Sequence, residues 1–193
     1  MSVASDSIRL VYCGCGLAGK TVSLMSALNR CGVPLPEPLS QFSTREHRFD
    51  VKRRSGGSLE LFVRISEQRA LRTYDPTGTA LDPLVVAEID AIARADALVF
   101  VIDSQVARTD ANVGAFDNLF RDLRLRGLDP EDIPIVFQAN KRDLADIVTM
   151  DWVRERFRTP HCGYVESVAP QQIGTLEAMR EAISLTARKQ PYR

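Results

Sequence analysis

The chain has 193 residues, of which 45% are hydrophobic and 26% charged, a composition typical of a globular protein. This length suits one domain whose core needs no disulfide or metal ion in order to fold. Lysine and arginine together number 25, as do aspartate and glutamate, so the formal net charge is zero. A nucleic-acid-binding protein that relies on a general positive field is therefore not expected.

The sequence also argues against export, membrane insertion and zinc binding. The longest strongly apolar run, residues 97–102, is far shorter than the roughly 18 residues that indicate a membrane span. Residues 1–6 lack the basic head and apolar core of a secretion signal, and residues 189–193 contain no cysteine for prenylation, so we expect no lipid anchor. The four cysteines lack the spacing of a zinc site, and we expect a cytoplasmic location.

Strand-like and helix-like segments alternate along the chain. The strand-like segments are 8–13, 49–52, 59–65, 98–102, 135–139 and 163–166, and residues 70–74 extend the second β region. The helix-like segments are 20–30, 81–95, 113–123, 150–157 and 176–187. This pattern predicts a single α/β domain over residues 1–193, with a mainly parallel central sheet between helices on both faces. The turn Ser55-Gly56-Gly57-Ser58 predicts one antiparallel edge hairpin.

A glycine-rich segment between the first strand and the first helix matches the phosphate-loop pattern G-x-x-x-x-G-K-[ST] at every fixed position. It reads Gly14-Cys15-Gly16-Leu17-Ala18-Gly19-Lys20-Thr21. Its three glycines allow the backbone N–H groups to approach phosphate oxygens, and the helix N-terminus adds a favourable dipole. Lys20 is expected to reach the β- and γ-phosphates, and Thr21 to place its hydroxyl on Mg²⁺. The alternative is a glycine-rich turn with an incidental lysine.

A candidate base-recognition loop, Asn140-Lys141-Arg142-Asp143, directly follows the strand at 135–139. The Asp143 carboxylate suits guanine, whose N1–H and 2-amino groups both donate hydrogen bonds. Adenine would leave this carboxylate unpaired, at a cost of about 1–3 kcal/mol. The Lys141 stem suits the purine face, and Asn140 suits a link to the phosphate loop. Taken alone, this segment is weak evidence, and without the phosphate loop an ordinary solvated loop would be the preferred interpretation.

The N-K-x-D pattern resembles the guanine-recognition motif of the Ras-like GTPases. Two further segments fit that resemblance. Glu166-Ser167-Val168-Ala169 stands where the family has an E-x-S-A-like loop, which implies that Val168 and Ala169 line the base and that the Ala169 N–H faces guanine O6. Asp75-Pro76-Thr77-Gly78 matches D-x-x-G, which implies that Asp75 holds Mg²⁺ through water and that the Gly78 N–H contacts the γ-phosphate. A simple Pro-Thr-Gly turn is the alternative for the second segment.

Three segments narrow the resemblance to the bacterial Ras-like GTPases of the MglA type, which act in gliding motility and cell polarity. They are 14–21, 101–106 and 138–144, and the resemblance extends over residues 8–187. Membership would imply a P-loop NTPase fold and a GTP/GDP switch with Mg²⁺. It would also imply effectors that read the GTP state and stimulation by a Roadblock/LC7-domain homodimer, with recruitment to a cell pole by a partner.

The switch segments depart from the family pattern. Thr79 stands where most small GTPases have a glutamine that orients the attacking water, and its side chain is shorter. The family's first-switch Arg-Thr pair falls on Arg45-Glu46, which leaves Arg45 as a candidate internal arginine finger. Glu46 adds negative charge near the triphosphate, so Thr44 is the candidate Mg²⁺ ligand.

These departures predict slow intrinsic GTP hydrolysis that a partner stimulates, with Lys20, Arg45 and Thr79 as the catalytic candidates. A second hypothesis is a nucleotide-binding scaffold without turnover, which Thr79 and Glu46 favour. A third is an ATP-using kinase or ATPase, against which the base-recognition loop argues.

Overall fold

The computed structural model describes residues 7–34, 46–52, 58–66 and 83–189. These ranges contain β1 (Ser7–Cys13), α1 (Lys20–Arg30), β2 (His47–Lys52), β3 (Ser58–Ile65), α2 (Pro83–Ala93), β4 (Ala97–Asp103), α3 (Thr109–Leu125), β5 (Ile135–Asn140), α4 (Met150–Arg156), β6 (Cys162–Glu166) and α5 (Thr175–Lys189). The predicted strand at 70–74, the hairpin turn at 55–57 and the predicted helix start at 81–82 lie outside the described residues.

The six strands form one sheet in the order β2-β3-β1-β4-β5-β6. β1 pairs in parallel with both β3 and β4, and β4-β5 and β5-β6 are also parallel. β2 is an edge strand, antiparallel to β3. This arrangement confirms the predicted Ras-like α/β fold with one antiparallel edge pair. It also brings the carboxyl ends of β1, β4 and β5 to the same edge of the sheet, where ligands of such folds bind.

Two adjacent residues of β5 show that helices cover both faces of the sheet. Neighbouring side chains of a strand point to opposite faces. The Phe137 ring contacts Phe116 of α3, whereas the Gln138 amide donates to the hydroxyl of Ser23 on α1. Helices α1 and α3 therefore lie on opposite faces. Within the described ranges, none of these helices combines the length and apolar character needed to cross a bilayer.

The central strands are longer than their apolar runs. Every residue of β4 is buried, as its uninterrupted apolar run predicts, and a cluster of phenylalanine rings packs against it from α3, β5 and the end of α4. Both β4 and β5 then continue by one polar residue, because Asp103 and Asn140 pair with each other across the sheet. These two buried polar residues mark the carboxyl edge at which the functional residues gather.

Candidate nucleotide-binding site

The phosphate loop connects β1 to α1 by a backbone path that two of its glycines require. Gly14 has a φ of +124° and Gly19 a φ of +94°, values that L-residues rarely adopt. A Cβ at Gly14 would collide with the carbonyl oxygen of Val101 in β4. A Cβ at Gly19 would lie 2.5 Å from Asn140 Nδ2. The loop is thus pressed against the ends of both β4 and β5.

Gly16 behaves differently from the other two glycines. Its backbone is not in the left-handed region, and a Cβ there would meet nothing within 4 Å. The conformational freedom of glycine is therefore not required at Gly16, and the approach of its N–H to a phosphate remains a prediction. The left-handed residue in this part of the loop is Leu17, at a φ of 65° and with 85% of its surface exposed.

The Lys20 ammonium lies inside the loop. Its Nζ donates to the carbonyl oxygens of Gly14 at 3.1 Å and Cys15 at 2.8 Å, and the residue is only 9% exposed. Gly19 provides no side-chain cap for α1, and the first turn of that helix has no acidic residue. The helix N-terminus and the ammonium therefore present positive charge together, which suits an anion such as a phosphate. Direct phosphate contacts by residues 14–21 remain a prediction.

The Asn140 side chain joins the phosphate loop to the loop after β6. Its Nδ2 donates to the carbonyl oxygen of Ala18 at 2.9 Å. Its Oδ1 accepts from the Ser167 hydroxyl at 3.1 Å and from the Ala169 N–H at 3.0 Å. Asn140 is 2% exposed, so loss of these bonds would leave buried polar groups unpaired. The link that the sequence suggested between the two loops is present.

A buried chain of donors fixes the orientation of that amide. Gln138 Nε2 donates to the hydroxyls of both Ser23 and Ser167, each at 2.9 Å. Because the Ser167 oxygen already accepts from Gln138, its single proton is available to the Asn140 oxygen. Asn140 must then direct its NH₂ group toward Ala18. Neither Gln138 nor Ser23 was among the predicted site residues, although a polar residue inside the apolar run 135–139 was a signal for Gln138.

The loop after β6 differs from expectation in one contact. The Ala169 N–H was expected to face guanine O6, but in the structure it donates to Asn140. The neighbouring Val168 N–H donates to the Ile173 carbonyl at 3.0 Å. Both residues are at least 90% buried. Their place beside the base-recognition loop is as predicted, while any contact with a base remains a prediction.

The Lys141 ammonium is held by a carboxylate at the end of β4. Lys141 Nζ lies 2.7 Å from Asp103 Oδ2, and Gln105 donates to Asp103 Oδ1 through its backbone N–H and its side chain. Burial alone would raise the pKa of Asp103, but the hydrogen bonds from Lys141 and Gln105 and the attraction of the lysine outweigh burial and lower it. The ionised carboxylate thus orients Lys141, a role that the sequence did not reveal.

Arg142 and Asp143 have opposite environments. Arg142 Nε donates to Glu166 at 2.7 Å, and its Nη1 donates to the Val148 carbonyl at 2.7 Å, which ties the loop after β5 to the end of β6. Asp143 is exposed, and it has no hydrogen-bond or ion-pair partner among the residues that the structure describes. The loop therefore presents a carboxylate that is available to a ligand.

Several predicted site residues lie outside the described residues, namely Thr44, Arg45, Asp75, Gly78 and Thr79. Thr21, the remaining Mg²⁺ candidate, lies in the first turn of α1 beside Lys20. Its hydroxyl oxygen is the kind of ligand atom that Mg²⁺ prefers. Glu46 is described, and its carboxylate lies 3.9 Å from Arg9 Nε. Its charge is thus partly balanced by a residue of β1.

Gly14 and Gly16 give a matched test of the loop geometry. We expect Gly14→Ala to lower the free energy of unfolding by about 3 kcal/mol, because the new Cβ strains the backbone and collides with β4. Gly16→Ala should change it by less than about 0.5 kcal/mol. Urea denaturation of both variants measures this difference, and equal effects would contradict the geometry.

Because the pKa of Asp103 is lowered in the folded chain, we expect its contribution to stability to depend on pH. We expect Asp103→Asn to lower the free energy of unfolding at neutral pH by about 2 kcal/mol, because it leaves Lys141 facing an amide. Since the pKa of Asp103 is lowered on folding, its contribution is present above the unfolded value of about 4 and is lost as the pH falls through the lower folded value. Urea denaturation across this acid range should show the difference shrinking. Asp151→Asn, whose side chain is 95% exposed, is the control and should have little effect at any pH.

Sequence similarity to a known protein assigns the chain to a family. The chain is 30% identical over 184 residues to the mutual gliding-motility protein MglA of Myxococcus xanthus (strain DK1622), and the match spans 92% of this chain and 89% of that protein. No protein-family model matches the chain. With 30% identity across almost its whole length, the chain belongs to the MglA family of Ras-like small GTPases.

Proposed function

We propose that this protein is a molecular switch that binds GDP and GTP with Mg²⁺ and hydrolyses GTP slowly. One observation carries the proposal most directly. The Asn140 amide joins the phosphate loop to the base-side loops, while the nearby Asp143 carboxylate is exposed and unpaired within the described residues. Such a site would bind the phosphates of a nucleotide at the phosphate loop and the hydrogen-bonding edge of its purine base at Asp143.

The base preference follows from the chemistry of Asp143. An ionised carboxylate only accepts hydrogen bonds, and guanine offers two adjacent donors on its Watson–Crick edge. Adenine offers one donor and an unprotonated N1, so it would leave the carboxylate poorly paired. Lys141, whose ammonium is held by Asp103, would cover the purine with its alkyl stem. This argues against the ATP-using alternative.

Mg²⁺ would supply charge neutralisation between the β- and γ-phosphates. Thr21 would hold it, together with Asp75 and Thr44 by their sequence positions. Lys20 would bind the β- and γ-phosphates, and the Gly78 N–H would contact the γ-phosphate. Arg45 would stabilise charge in the transition state as an internal finger.

Thr79 is the reason for expecting slow turnover. A threonine hydroxyl reaches less far toward an attacking water than the amide of a glutamine. By analogy with the MglA family, a dimeric Roadblock/LC7-domain protein would stimulate hydrolysis, and effectors would read the GTP state in cell polarity or motility. The gliding-motility function is named for the Myxococcus relative, and its extension to this chain is part of the proposal.

A nucleotide-binding scaffold without turnover is the second candidate function. Thr79 and Glu46 at the expected catalytic and Mg²⁺-ligand positions favour it. The same guanine site would then serve partner binding alone. The two functions differ in phosphate release and agree in base preference.

Replacing Asp143 by asparagine tests the base preference. We expect Asp143→Asn to weaken GDP binding by about 10- to 100-fold, because one acceptor becomes a donor that faces the guanine 2-amino group. The same change should favour xanthosine diphosphate, whose C2 carbonyl accepts from that donor. Competition against a fluorescent guanine nucleotide measures both affinities. Asp146→Asn makes the same charge change in the same exposed loop and should leave both affinities unchanged.

Restoring a glutamine tests the origin of slow hydrolysis. We expect Thr79→Gln to raise the single-turnover rate of phosphate release from GTP about tenfold or more, because the longer amide reaches the attacking water. Thr77→Gln, two residues away, is the control. Addition of a Roadblock/LC7 homodimer should accelerate release by the unaltered chain. Release that is zero for every variant, with and without the homodimer, would support the scaffold instead.

A further inference from the structure

The amino-terminal end of α3 holds the middle of the phosphate loop by side-chain contacts. Asn112, which is 1% exposed, accepts a hydrogen bond from the Cys15 thiol at 3.1 Å. The same side chain bonds both the N–H and the carbonyl of Asp103. One helical turn earlier, Arg108 Nη2 donates to the Gly16 carbonyl at 2.6 Å. Arg108 directly precedes α3 and Asn112 lies in its first turn, and their side chains contact neighbouring residues of the loop, Gly16 and Cys15.

The Arg108 contact is made next to the left-handed non-glycine residue of that loop. A short hydrogen bond from a charged donor is stronger than one between neutral groups. The Gly16 carbonyl immediately precedes Leu17, which is left-handed and 85% exposed. A non-glycine residue in that conformation persists only when its surroundings hold it there. Arg108 supplies such a restraint from outside the loop.

Asp103 connects this restraint to the base-recognition side of the site. Its Oδ2 lies 2.7 Å from Lys141 Nζ and 3.6 Å from Arg108 Nε. One buried carboxylate thus faces a cation from the loop after β5 and a cation that holds the phosphate loop. Two positive charges against one negative charge leave an excess positive charge beside the loop, which favours a polyanionic ligand.

We propose that Arg108 is a positioning residue that braces the phosphate loop and slows the dissociation of bound nucleotide. The inference rests on the guanine-nucleotide binding proposed above. Arg108 acts through Gly16 and Asp103 and has no assigned contact with the nucleotide. Without the brace, the loop opens more easily around its ligand, so the effect appears mainly in the dissociation rate.

The test uses the full chain loaded with a fluorescent GDP analogue and Mg²⁺, chased with excess GDP. We expect Arg108→Met to raise the dissociation rate about tenfold, with the association rate changed by less than about twofold. Arg108→Lys keeps a charged donor for the Gly16 carbonyl but loses the planar fork, so its dissociation rate should fall between the two. Arg121→Met is the control, because Arg121 lies in α3 away from the phosphate loop, is 52% exposed and pairs with Asp122.

Each outcome decides a separate point. If the unaltered chain binds no guanine nucleotide, the proposed function fails. If it binds and Arg108→Met dissociates at the unaltered rate, the brace is refuted and the proposed function stands. A merely structural role would lower the thermal stability of the nucleotide-free chain and would not be rescued by lysine. If Arg108→Met does not fold, Arg108→Ala takes its place, since it also removes the donor, and a dissociation rate equal to that of the unaltered chain overturns the proposal.

Discussion

The site depends on one buried amide. Asn140 stands at the carboxyl end of a central strand, and its three hydrogen bonds join the phosphate loop to the loop after β6. These segments are distant in the sequence, and Asn140 joins them directly, in addition to the bonds that Gln138 makes to Ser23 and Ser167. A side chain whose amide both donates and accepts is needed, because a carbonyl lies on one side and two donors lie on the other.

A second residue of β5 helps to fix which end of the Asn140 amide faces which partner. Gln138 lies two residues earlier in β5, and a two-residue spacing places both side chains on the same face. Its amide donates hydrogen bonds to two hydroxyls, and one of these, the Ser167 hydroxyl, donates a hydrogen bond to the Asn140 oxygen. The chain of donors runs in one direction through an otherwise apolar interior. Removing one member of this network would leave buried polar groups unpaired, which is costly.

Local patterns predicted the parts of the molecule that are locally determined. The uninterrupted run in β4 predicted a strand covered on both faces, and the glycine spacing predicted the strand–loop–helix unit, with α1 at 20–30 as observed. The Arg108–Gly16 bond joins residues 92 positions apart, and no short-range pattern indicates it. The same is true of the Asp103–Lys141 pair. The glycine pattern also did not indicate which residue between Gly14 and Gly19 is left-handed, since that residue is Leu17.

The central claim is that this site selects a guanine nucleotide. The most direct measurement is the identity of the nucleotide that co-purifies with the unaltered chain, released by heat and separated by chromatography. The account predicts GDP or GTP at near-stoichiometric levels. An adenine nucleotide in its place, or an empty chain that shows no affinity for GDP or GTP when Mg²⁺ is added, would contradict it.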